Sequence, residues 1–81
     1  MTSEQLRAGR ALIKWSADEL AKHSGVGVAT IRRLEVAFGV PSSNARTLEQ
    51  LKNCLEHAGV EFVGTPGDRP GVRLRVRPES I

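Results

Sequence analysis

Two adjacent arginines, Arg32 and Arg33, follow an uncharged run from Gly25 to Ile31, and three more, Arg73, Arg75 and Arg77, alternate with Val72, Leu74 and Val76. A guanidinium is a planar fork of donors that pairs two-pronged with a phosphate or with a guanine edge. The chemistry open to these residues is therefore recognition of anions or bases, with a solvated helix face as the plain alternative for Arg32 and Arg33. Reaction chemistry has no comparable set. The chain holds no paired acids with a base, no Ser-His-Asp arrangement and no phosphate loop, and neither His23 nor His57 has catalytic company, so it reads as not an enzyme. Cys54 and His57 stand three apart, yet a zinc site wants about four ligands and His23 is the only other soft donor. No metal and no cofactor are expected, and Cys54 reads as a small hydrophobe.

Totals bound the partners. With 81 residues the chain is one domain, and a chain of this size buries only roughly 60% of its unfolded surface. Apolar content is 40% and aromatic content 4%, so Leu, Ile, Val and Ala must make the core. Twelve Lys and Arg against nine Asp and Glu give a charge of +3. That suits an anionic partner without proving one. Between Ser16 and Glu35 the balance is zero, because Lys22, Arg32 and Arg33 are matched by Asp18, Glu19 and Glu35, so placement of charge matters more than its sum. One cysteine excludes an internal disulfide and fits a reducing compartment. The polar start and the lack of any apolar run near the roughly 20 residues of a membrane span imply a cytoplasmic protein with no membrane partner.

The elements that must position Arg32 and Arg33 are legible just before them. Ser16 and Glu19 have capping-box spacing, with Trp15 and Leu20 at the staple positions around the cap. Gly25 closes that helix, since glycine takes a positive φ freely. A second helix starts near Gly27 and carries Ile31, Leu34 and Phe38 as one buried stripe, off which Arg32 and Arg33 fall.

Glu19, Leu20, Ala21, the turn residue Gly25, and Thr30, Ile31, Leu34 and Glu35 together resemble the helix-turn-helix of the phage-repressor and Cro/C1-type (XRE) family. Arg-Ala-Leu-Ile-Lys-Trp-Ser before the motif and Thr-Leu-Glu-Gln-Leu after it also look like the family. The resemblance implies a lambda-repressor-like DNA-binding domain. It places Val28, Ala29 and Arg33 toward bases, Thr30 and Arg32 at flanking contacts, and Ser16 and Ala17 at a phosphate. Asn44 and Arg46 become further phosphate candidates, with ordinary helix capping an equal account of Asn44. Gly27, Val28 and Ala29 stand where relatives often carry polar residues, which implies a sparse base code helped by DNA shape.

Upstream, Thr2 and Gln5 form another capping box, and Leu6, Gly9, Arg10 and Ile13 follow at helical spacing. Arg10 on that face must find a carboxylate or reach solvent, and the resemblance implies that it pairs with Glu35. Downstream, Gly39 is expected to stop the motif helix, and Pro41 disfavours helix at Val40. Ser42, Ser43 or Asn44 then caps a fourth helix, about Ala45 to Ala58, with Leu48, Leu51, Leu55 and Ala58 inward and Gly59 at its end. Val60–Val63 and the alternating segment from Val72 to Arg77 read as two strands joined by a loop from Gly64 to Gly71. Arg73, Arg75 and Arg77 protect an edge, meet a second copy or touch DNA backbone.

The expected architecture is mostly α: four helices over residues 1–59, then a β-hairpin over 60–81 that packs on the helices or dimerises. The expected function is sequence-specific binding of double-stranded DNA by a homodimer, most simply repression at a palindromic operator. The other reading is an antitoxin or similar protein-interaction module with secondary DNA binding and a toxin as partner.

Overall fold

The computed structural model describes residues 1–75. Helices α1 (Ser3–Leu12), α2 (Ala17–Ser24), α3 (Val28–Glu35) and α4 (Ala45–His57) are followed by an antiparallel hairpin of β1 (Val60–Thr65) and β2 (Asp68–Leu74). The fold is mostly α. Val76 and Arg77, expected in the second strand, lie outside the described residues. No helix among the described residues is long and apolar enough to cross a membrane.

Both capping boxes are formed. Thr2 Oγ1 accepts from the Gln5 amide at 3.0 Å and Gln5 Oε1 accepts from the Thr2 amide at 2.9 Å. Ser16 Oγ accepts from the Glu19 amide at 3.0 Å, and Glu19 Oε1 accepts from the Ser16 amide at 2.8 Å. Each box satisfies two backbone donors that a helix start leaves without partners, which fixes where α1 and α2 begin. Gly25, at φ +78°, ends α2 in the left-handed region and lets α3 start three residues later.

Every helix and the hairpin contribute to one core. Leu6, Leu20, Ile31, Leu34, Leu51 and Leu55 are fully buried, and Val60 of β1 is 1% exposed among them. Burying each such side chain is worth about 1.5–3 kcal/mol. Phe62, Val72 and Leu74 pack against the same cluster, which gives the hairpin the support a two-stranded ribbon lacks alone. Gln5 ties it down further: its Nε2 donates to Gly71 O at 2.9 Å and to Val63 O at 3.3 Å, two residues directly opposite in the register.

Two expectations need correction. Phe38 does not continue the stripe of Ile31 and Leu34; it is 92% exposed. The helix ends at Glu35, four residues before Gly39. A continuing helix would bond Leu34 O and Glu35 O to the amides of Phe38 and Gly39; with the helix ended at Glu35, α1 satisfies both carbonyls instead. Ser3 Oγ donates to Leu34 O at 2.6 Å, and the Arg7 guanidinium donates to Glu35 O.

The loop of the hairpin is also shorter than expected. Its turn is Pro66–Gly67, and Asp68 to Gly71 belong to β2. A register irregularity between Val63 and Thr65, with Gly64 at φ +73° and Arg69 at φ +50°, takes up the odd residue as a bulge does. A Cβ on Gly64 would sit 2.2 Å from Arg69 O, so only glycine fits there.

Trp15, ahead of the α2 cap, packs against the core, and its ring stacks on His23 with centroids 4.3 Å apart and planes within 9°.

Candidate nucleic-acid interface

The face of α3 opposite the core is set by helical geometry. Ile31, Leu34 and Glu35 turn inward and are buried, so the remaining positions must turn outward. Ala29, Arg32 and Arg33 are exposed, and Val28 and Thr30 are half-buried at the margins. Val28, Ala29 and Arg33, which the resemblance places toward bases, thus share one surface with Thr30 and Arg32. Its side chains offer two guanidinium forks, one hydroxyl and two small apolar groups.

Two contacts locate this surface among its neighbours. Arg32 Nη2 lies 3.6 Å from Asp18 Oδ2 in the first turn of α2, an exposed and therefore weak pair. Arg33 Nη1 donates to Ser42 O at 3.2 Å in the segment before α4. The α2 start, α3 and the approach to α4 accordingly form one continuous surface.

At the start of α4, Asn44 caps the helix, with Oδ1 accepting from the Thr47 amide at 2.7 Å. The cap uses the oxygen and leaves the Nδ2 donors free for an external acceptor. Arg46 is exposed in the first turn, where α4 has no acidic residue. A cation at a helix start opposes the helix dipole. An anion placed there satisfies both the dipole and Arg46. The α2 start is less hospitable: the capping box occupies the Ser16 amide, and Asp18 and Glu19 bring two negative charges. The Ser16 backbone hydrogen bond holds the Glu19 carboxyl below its usual range, so it stays charged. Ala17, at the first helical position, keeps an amide without an intrahelical partner.

Arg10 and Glu35 stand behind the surface. Arg10 Nε lies 2.8 Å from Glu35 Oε2, Nη2 lies 2.9 Å from Oε1, and Nη1 donates to Trp15 O at 2.9 Å. The hydrogen bond to Glu35 raises the Arg10 pKa further above its ordinary value. Ser3 and Arg7, which secure the last carbonyls of α3, were not singled out from sequence. They lie with Arg10 at positions 3, 7 and 10, one polar stripe beside the apolar stripe of α1, and that spacing is a readable signal.

His23, Cys54 and His57 do come together, lining a shallow cleft of about 390 Å³ with Trp15. Burial pushes the Cys54 thiol up, which keeps it protonated. Among the described residues no group of three or more His, Cys, Asp or Glu is placed to hold a metal ion.

A scan against protein-family models and a search of curated proteins both returned no match for this chain. The functional reading therefore rests on the geometry and on the motif.

Proposed function

We propose that this chain is a sequence-specific DNA-binding regulator of the XRE type with a lambda-repressor-like fold, a cytoplasmic homodimer that represses transcription from a palindromic operator. The observation that carries the reading is the outward set on α3. Two short helices meet at a glycine turn, and the second turns Ala29, Arg32 and Arg33 away from a core that holds Ile31 and Leu34. A helix so presented fits the major groove. Arg33 supplies a two-pronged donor for a guanine edge, and Val28 and Ala29 offer apolar contact to thymine methyls. Asn44 and Arg46 fix the register on phosphates.

Selection of bound duplexes from a random library tests the reading, followed by gel shifts with the selected site. Arg33→Ala should lose roughly 1–3 kcal/mol and relax preference at one position. The logarithm of affinity should fall with the logarithm of salt, with a slope of about 0.9 for each phosphate neutralised. Absence of duplex binding, or binding indifferent to salt, overturns the proposal.

A further inference from the structure

Only two residues other than glycine take a positive φ among those described, Lys14 at 59° and Arg69 at 50°. Lys14 stands where α1 ends. Its amide donates to Ala11 O at 3.1 Å, and the Trp15 amide donates to Arg10 O at 3.1 Å. This pair of bonds closes a helix whose next residue turns left-handed, a place that glycine usually takes because a Cβ is crowded there by the following carbonyl oxygen. The chain ends α2 on such a glycine, Gly25 at φ +78°. At the end of α1 it bears the crowding and carries a lysine.

Local forces do not account for that lysine. A cation near the end of a helix complements its dipole, but Ala11 and Leu12 in the last turn of α1 are exposed and could carry the charge at an ordinary helical φ. Nor does Lys14 hold a carboxylate: it is exposed and has no ion-pair partner among the described residues. Arg10, the nearest cation before it, is committed to Glu35 and to Trp15 O. The ammonium of Lys14 is left for something outside the chain.

We propose that Lys14 is a contact to DNA phosphate, the cation that offsets Asp18 and Glu19 where α2 meets the backbone; the proposal rests on the DNA-binding reading. Position supports it. Ser16, the cap of α2, is two residues on, at most about 7 Å of chain, and Asp18 in the first turn reaches Arg32 on the outward face of α3. With α3 in the major groove, the helix before it crosses the phosphate backbone. Charge supports it as well. Between Arg10 and Lys22 the sequence holds two carboxylates, Asp18 and Glu19, and a single cation, Lys14. Without that cation this stretch would bring only negative charge toward phosphates. An ammonium on a flexible stem acts as a point charge and reads no base edge, so its contribution is the same on every sequence.

Three variants test it, Lys14→Gly, Lys14→Gln and Lys14→Arg, each read by thermal melting and by binding to a selected duplex and to an unrelated one. Lys14→Gly relieves the crowding and should melt no lower than the parent, yet bind both duplexes about threefold to tenfold more weakly at low salt, with a salt slope smaller by about 0.9. Lys14→Gln keeps the crowded backbone without the charge and should show the same loss of binding. Lys14→Arg should bind as the parent does. Glycine and glutamine variants that bind both duplexes with the parent's affinity and slope overturn the contact while leaving the DNA-binding reading intact. A loss confined to the selected duplex makes Lys14 a base reader and overturns it too. So does a Lys14→Gly chain that melts well below the parent, since the lysine then serves the fold. A parent chain that binds neither duplex removes the DNA-binding reading and this contact together.

Discussion

Arg10 and Glu35 face each other through two parallel hydrogen bonds of 2.8 and 2.9 Å, and this pair joins α1 to the last turn of α3. Glu35 is 7% exposed, so removing its partner leaves a buried carboxylate without a counter-charge. Arg10→Ala should cost about 3–5 kcal/mol in urea unfolding. Arg10→Lys should recover only part, since an ammonium cannot reproduce the two-pronged geometry. Joint replacement by Arg10→Met and Glu35→Leu should be much milder than Arg10→Ala alone. A midpoint for Arg10→Ala equal to the parent's would show that the pair contributes nothing.

Gln5 serves two elements at once, capping α1 and bridging opposite residues of the hairpin. Gln5→Leu keeps the bulk but leaves the carbonyls of Val63 and Gly71 without this donor, at a cost of about 1–3 kcal/mol. Hydrogen exchange should quicken in β1 and β2 more than in α4. Uniform acceleration across the chain would mean that the bridge is not specific to the hairpin.

Asp18 lies within reach of Arg32 and adds negative charge to the proposed DNA-facing surface. Asp18→Asn should tighten binding of a selected duplex roughly threefold to tenfold at low salt, with the gain shrinking as salt rises. Weaker binding would place Asp18 in a supporting role for Arg32 instead.

The hydrogen bond from Arg73 holds the Glu61 carboxyl below its ordinary value of 4.5. A carboxylate with a depressed folded pKa gives stability that is present above about pH 4.5 and lost as pH falls through the folded value. Glu61→Gln should therefore melt earlier than the parent at neutral pH, and the two curves should converge in acid. High salt should narrow the gap at neutral pH, because the pair is exposed. A gap that persists unchanged in acid would assign the loss to packing.

The caps at Thr2, Ser16 and Asn44 and the glycine stop at Gly25 are legible in sequence because each is written within a few residues. The outward placement of Arg33 follows from the same short-range periodicity. Phe38 continues the helical spacing from Leu34, but the helix stops at Glu35, and the carbonyls it leaves are satisfied by Ser3 and Arg7, some thirty positions away and beyond the reach of local pattern. Gln5 hid its second role because the capping box already accounted for it. Pro70 and Gly71 read as loop, yet proline is tolerated at the edge of a sheet, and a two-stranded hairpin is all edge.

The grip of Ser3 and Arg7 on the end of α3 bears on how the proposed recognition would proceed in time. An isolated helix of eight residues does not persist in water, where about 12–15 are needed for even marginal helicity. Lent its order by α1, α3 would meet the proposed target already shaped, and association would carry no cost of folding it. The encounter rate would then be governed by diffusion and long-range charge steering, and the heat-capacity change on binding would reflect the contact area alone, without the larger signature of coupled folding.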